Sequence, residues 1–139
     1  MDMETLAGAY RILAGAKIYA EEYAGALDRG NTKRARRALR DLESKTMAFK
    51  DNLAVFDNAA VAAEVQRVHT ALVKSNLASD DLLDHLERGK PLRTPEGTRL
   101  ARRWLQAITE VNRVLRGLPA RLRPHLSSDQ RKQFERGAG

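Results

Sequence analysis

The chain of 139 residues contains no cysteine, only three histidines and four prolines, and its aromatic content is 5%. Each scarcity excludes something. Without cysteine there is no disulfide framework, no thiol nucleophile and no Cys-ligated zinc or iron–sulfur site. Pro91, Pro95, Pro119 and Pro124 all fall in the last third, so the first 88 residues have no proline to break a helix. No stretch alternates apolar and polar residues at period two over strand length, which excludes a half-buried sheet. No uninterrupted apolar run approaches the ~18 residues of a membrane span. The most apolar stretch, Leu6 to Leu27, is interrupted by Arg11, Lys17, Glu21 and Glu22. The acidic start, Met-Asp-Met-Glu, does not resemble the basic start of a secretory signal. The expected location is intracellular, or inside a particle assembled there.

What is present is Ala, Leu and charge in helical periodicity. A first helix over about 3–28 stops at Gly30. It repeats Leu-Ala-Gly-Ala at Leu6 and Leu13, with a third Ala-Gly-Ala at Ala24. On a helical wheel Gly8, Ile12, Gly15, Tyr19 and Ala26 share one face, while Leu6, Tyr10, Leu13, Ala20 and Ala24 lie mostly on the other. A glycine inside a helix costs about 1 kcal/mol relative to alanine, so close approach of another backbone is the expected compensation. Gly8, Ile12, Gly15 and Tyr19 are therefore candidates for self-association into a homo-oligomer.

A second helix, about 32–56, opens on Asn31 or Thr32. Its buried stripe is Ala35, Leu39, Leu42, Thr46, Phe49, Leu53 and Phe56. Asp57 or Asn58 caps a third helix, about 58–88, whose stripe is Val61, Val65, Val68, Leu72, Ser75, Ser79, Leu82 and Leu86. A break at Ser79-Asp80-Asp81 is the alternative. Thr94-Pro95-Glu96 then combines an N-cap, a proline at the first helical position and an acid in the first turn. The fourth helix is expected over 95–117, burying Leu100, Trp104, Ala107, Ile108, Val111, Val114, Leu115 and Leu118, and ended by Gly117 and Pro119. A short helix, about 128–136, is capped by Ser127 or Ser128 and anchored by Phe134. The fold class is all-α: one helical bundle of four main helices plus a short C-terminal one.

The formal net charge of +7 is unevenly spread. Residues 1–28 carry −3, 29–40 carry +6, 41–87 carry −5 and 88–139 carry +9. The basic island is Arg29, Lys33, Arg34, Arg36, Arg37 and Arg40, mostly opposite the buried stripe. In the last segment Arg102, Arg113 and Arg116 lie opposite Leu100, Ala107 and Val111. Arg99 flanks that face, Arg103 lies nearer the stripe, and Arg121 and Arg123 extend it. Arginine outnumbers lysine 18 to 7, and its planar fork suits bidentate phosphate contacts. Cation concentrated on helix faces is the footprint of a phosphate-backbone partner. A solvated face, or pairing with the acidic segments, is the competing account.

The patches lack aromatics for base stacking. The Gly89–Thr94 loop is too long for a helix-turn-helix. Catalytic signals are weak. His69 and His85 lie 16 residues apart on one helix, ~24 Å at the α-helical rise. Asp81 and His85 are spaced i, i+4, a surface pair more readily than a metal site. Gln66-x-x-His69 lacks the carboxylate of a di-iron motif, and His125 sits among arginines without partner acids. No glycine-rich phosphate loop follows a strand. The expectation is a non-enzymatic protein with no cofactor and no metal. It would bind DNA or RNA through phosphates, largely independent of sequence, as a self-associating packaging or structural subunit. The alternative is a helical adaptor or inhibitor whose basic faces meet an acidic protein partner.

Overall fold

A computed structural model describes residues 3–51 and 58–138. They form α1 (Met3–Asp28), α2 (Thr32–Asp51), α3 (Ala59–Glu87), α4 (Pro95–Leu122) and α5 (Ser128–Ala138), with a 3-10 turn at Arg123–His125. The described residues contain no strand, and the long helices pack as a bundle. None of their helices is long and apolar enough to cross a membrane. The expected positions of Leu53, Phe56 and Asp57, and the side chains of Leu6, Tyr10 and Phe134, lie outside the described residues.

The helix ends follow local chemistry. Gly30 ends α1 at φ 68°. Its N–H donates to Leu27 O at 3.0 Å and that of Asn31 to Ala26 O at 2.8 Å, the paired bonds of a Schellman stop. α3 ends the same way: Gly89 has φ 75°, its N–H reaches Leu86 O and that of Lys90 reaches His85 O. Asn31 accepts from the Arg34 N–H at 3.1 Å and Asn58 from Ala60 and Val61. Thr94 Oγ1 accepts from the Gly97 N–H at 3.0 Å. Ser127 and Gln130 exchange side-chain and backbone bonds in a capping box.

α1 pairs with α2, α2 with α3, and α3 with α4, while α5 packs on α1. Both tight connections, 29–31 and 88–94, therefore lie at one end of the bundle. The core has two apolar clusters. One gathers Leu13, Phe49, Val65, Val68, Leu118 and Leu122 with their neighbours. The other, at the connection end, packs Ala16, Tyr23, Ala26, Ala35, Leu39 and Leu83. Buried Thr46, Ser75 and Asn76 add a polar component to this interior. Thr46 Oγ1 donates to Leu42 O at 2.9 Å and accepts from Asn76 Nδ2 at 2.8 Å.

The expected single third helix is present without its alternative break, and two sequence expectations change. α3 runs unbroken through Ser79, whose hydroxyl turns back onto Ser75 O at 2.8 Å. α4 does not end at Gly117 but continues through Pro119 to Leu122. Burial of Leu118, Leu122 and Leu126 offsets the helix-breaking tendency of Pro119, and Arg121 Nη2 donates to Val114 O at 2.7 Å within this segment. The middle of α4 is also less buried than its stripe implies. Trp104, Ala107, Ile108, Val111 and Leu115 are half-buried because α1 approaches α4 only sparsely.

Candidate nucleic-acid interface

The acidic stretch of α3 determines which arginines remain available. Arg36 on α2 donates to Glu87 and Asp80, each at 2.5 Å, with its side chain 21% exposed. Bonding to Glu87, aided by Asp80, holds its guanidinium well above its ordinary pKa despite desolvation. From the other side, Arg103 on α4 donates to Asp81 at 2.6 Å. The acidic end of α3 therefore draws one cation from each flanking helix. Arg121 reaches Glu64 at 2.5 Å and is likewise only partly exposed. These side chains tie helices together.

Three other candidates are exposed and paired, Arg34 across to α1 and Arg99 and Arg113 within α4. Arg34 meets Glu22 at 3.1 Å, Arg99 meets Glu96 at 2.6 Å and Arg113 meets Glu110 at 2.6 Å. The bond from Arg99 lowers the Glu96 pKa, and that from Arg113 lowers the Glu110 pKa. Such exposed pairs contribute little and exchange readily for another anion. Arg29, Lys33, Arg37, Arg40, Arg102 and Arg116 are exposed and form no ion pair among the described residues. Arg123 is exposed as well.

The fold rearranges the two sequence patches. Tyr23 Oη donates to Ser79 O at 2.6 Å and its ring meets Trp104 edge-on at 5.6 Å. These contacts and the Arg36–Glu87 pair align the end of α1, the start of α2, the end of α3 and the start of α4. The 29–40 island thus shares one end of the bundle with Arg99 and Arg102. Arg113 lies 11 residues beyond Arg102, ~17 Å farther along α4, and Arg116, Arg121 and Arg123 follow it. The second patch is therefore divided.

At the shared end, Arg93, Thr94, Thr98, Arg99, Arg102 and Arg103 line a surface groove of about 580 Å³. Arg93 was missed by helix-face reasoning because it sits in the loop just before the Thr94 cap. Its signal was membership of the basic C-terminal segment. The loop is fixed by His85 Nε2, 3.0 Å from Pro91 O. Since a carbonyl only accepts, Nε2 is the donor, so the buried His85 turns to this loop while Asp81 accepts from Arg103 instead of pairing with it. Among the described residues no three His, Asp or Glu side chains are grouped to hold a metal ion.

The proposed self-association residues border the interior. Gly8, Ile12, Gly15 and Tyr19 are all half-buried. Ile12 packs against the first cluster and Tyr19 against the second. A Cβ on Gly15 would meet the Lys45 side chain of α2 at 4.0 Å, an ordinary contact. Among the described residues no backbone approaches Gly8 or Gly15 closely enough to require glycine. No protein-family model matches the chain, and no curated protein or solved structure matches it.

Proposed function

We propose that the protein binds the phosphodiester backbone of nucleic acid, without strong sequence preference, through the end of the bundle that carries both tight connections. The observation behind this reading is the set of cations left after internal pairing. Arg29, Lys33, Arg37 and Arg40 are exposed along α2 and the turn before it. Arg93 and Arg102 line the groove at the start of α4, and neither forms an ion pair among the described residues. Arg36 and Arg103 support the interface from behind, by holding the helices, while Arg121 ties α4 to α3 at the opposite end. Phosphate contacts through helix faces position a duplex without reading bases, in keeping with a surface short of aromatics. Assembly into a packaging subunit would add avidity to such contacts, but binding through this end does not require it.

Fluorescence anisotropy with random-sequence duplex DNA and single-stranded RNA tests the reading. Affinity for duplex should fall with salt at a log–log slope of roughly −0.9 per phosphate neutralised. The K33Q/R37Q/R40Q variant should bind more weakly with a shallower slope, while R113Q, farther along α4, changes little. Absence of binding at ~50 mM salt, where such contacts are strong, rejects the proposal.

A further inference from the structure

Where α1 and α4 stand apart, an open cleft of about 490 Å³ is lined by Leu13, Ala14, Lys17, Asn112, Leu115 and Arg116. It continues inward to a space of about 50 Å³ bordered by Ala16, Ala20, Leu72, Ile108, Val111 and Asn76. The walls are mostly apolar, with Asn112 and Ser75 as polar members beside Asn76. Lys17 and Arg116 are exposed at the mouth, and neither forms an ion pair among the described residues. Asn76 is only 9% exposed. Its Nδ2 donates to Thr46 Oγ1, while the one Thr46 hydroxyl proton goes to Leu42 O. That arrangement fixes the orientation of the amide, because a flipped Asn76 would present its oxygen to a hydroxyl whose proton is already engaged. Asn76 Oδ1 is left buried with no partner among the described residues.

A buried acceptor, mostly apolar walls and two cations at the entrance define one kind of occupant. We propose that this cleft binds a small amphiphilic anion. Its acid group would lie between Lys17 and Arg116, its hydrocarbon body would cover Leu13 and Leu115, and a hydroxyl at its far end would donate to Asn76 Oδ1. The site is separate from the interface at the connection end, and it stands whether or not the protein binds nucleic acid.

Calorimetric titration with 8-hydroxyoctanoate, octanoate and 1-octanol tests the assignment. The hydroxy acid should bind saturably, with octanoate roughly three- to tenfold weaker for want of one hydrogen bond. Octanol should also be weaker, for want of the anion. K17Q/R116Q should weaken the hydroxy acid several-fold, and A14W, at an exposed wall position, should block it. Asn76→Leu should abolish the preference for the hydroxy acid over octanoate. Should that core variant not fold, the two surface variants still decide the matter. Failure of all three probes to bind at millimolar concentration overturns the proposal. So does binding that A14W leaves intact, equal affinity for the two acids in the unmodified protein, or a cleft closed by dimerisation at titration concentrations.

Discussion

Arg36 on α2 and Glu87 at the end of α3 form a two-point bond, with Nη2 to Oε1 at 2.5 Å and Nε to Oε2 at 3.3 Å. Asp80 accepts a further bond from the same guanidinium. This is a helix clamp made by a residue that belongs to the basic island in sequence. Arg36→Gln should destabilise the fold by about 1–3 kcal/mol, the range for charge-assisted bonds. Arg37→Gln, one position away and exposed, should stay within about 0.5 kcal/mol of the parent. Urea midpoints of the two variants check this. Equal effects would mean that the clamp contributes nothing.

Gly97 and Gly15 should respond oppositely to alanine. A Cβ on Gly97 would lie 2.6 Å from Leu92 O and 2.8 Å from Pro91 O, both backbone atoms of the loop folded over the first turn of α4. Gly97→Ala should cost about 1–3 kcal/mol as that loop is displaced. Gly15 has room for a Cβ, so Gly15→Ala should stabilise by about 0.5–1 kcal/mol from helix propensity alone. Thermal melts separate the two signs.

The Arg121 guanidinium lies over Gly117, where a Cβ would collide with it. There it reaches both Val114 O and Glu64. Gly117→Ala should therefore fail to give the ~1 kcal/mol expected of alanine in a helix, since it displaces that side chain. In an Arg121→Gln background the same change should recover most of the gain. A double-mutant cycle measures the coupling, and additive effects would disprove the link.

His69 stacks on Phe49 with ring centroids 6.4 Å apart. Desolvation, followed by the charge of Lys50, holds its pKa below the ordinary 6.5. A histidine lowered by folding contributes stability above its unfolded value, and that contribution is lost as pH falls through the lowered one. Urea midpoints should drop between pH 7.5 and pH 5, and the drop should shrink in His69→Gln. An unchanged drop would assign the pH dependence to other groups.

Much of the fold was legible because its signals are local. Thr94-Pro95-Glu96, the Asn58 cap and the Gly30 and Gly89 stops each act within one turn. The stripes of α2 and α3 recur with helical period, and their described members are buried apart from a half-buried Leu86. The end of α4 was misread because Pro119 is a local stop signal overridden by distant packing of Leu118 and Leu122. Gly97 passed unnoticed because its constraint comes from the Pro91–Leu92 carbonyls, a loop conformation that periodicity does not reveal.

The candidate site was legible only in part. Charge segregation identified the arginine-rich segments, but a helical wheel knows nothing of neighbours. Arg36 and Arg37 are adjacent in sequence, yet one faces the acids of α3 and the other faces solvent. The same limit hid the cleft, since Leu13, Leu115 and Asn76 belong to three different helices.

The sequence by itself determined the helices, their caps, the Gly30 and Gly89 stops, the α2 and α3 core stripes and the unequal distribution of charge, since each depends on residues within a few turns. Only the tertiary structure decided which cations are engaged, that residues 29–40 share one end of the bundle with the start of α4, and that α1 and α4 leave a cleft over Asn76. Those outcomes depend on which helix faces which, and pairing between surfaces distant in the chain leaves no periodic mark within either.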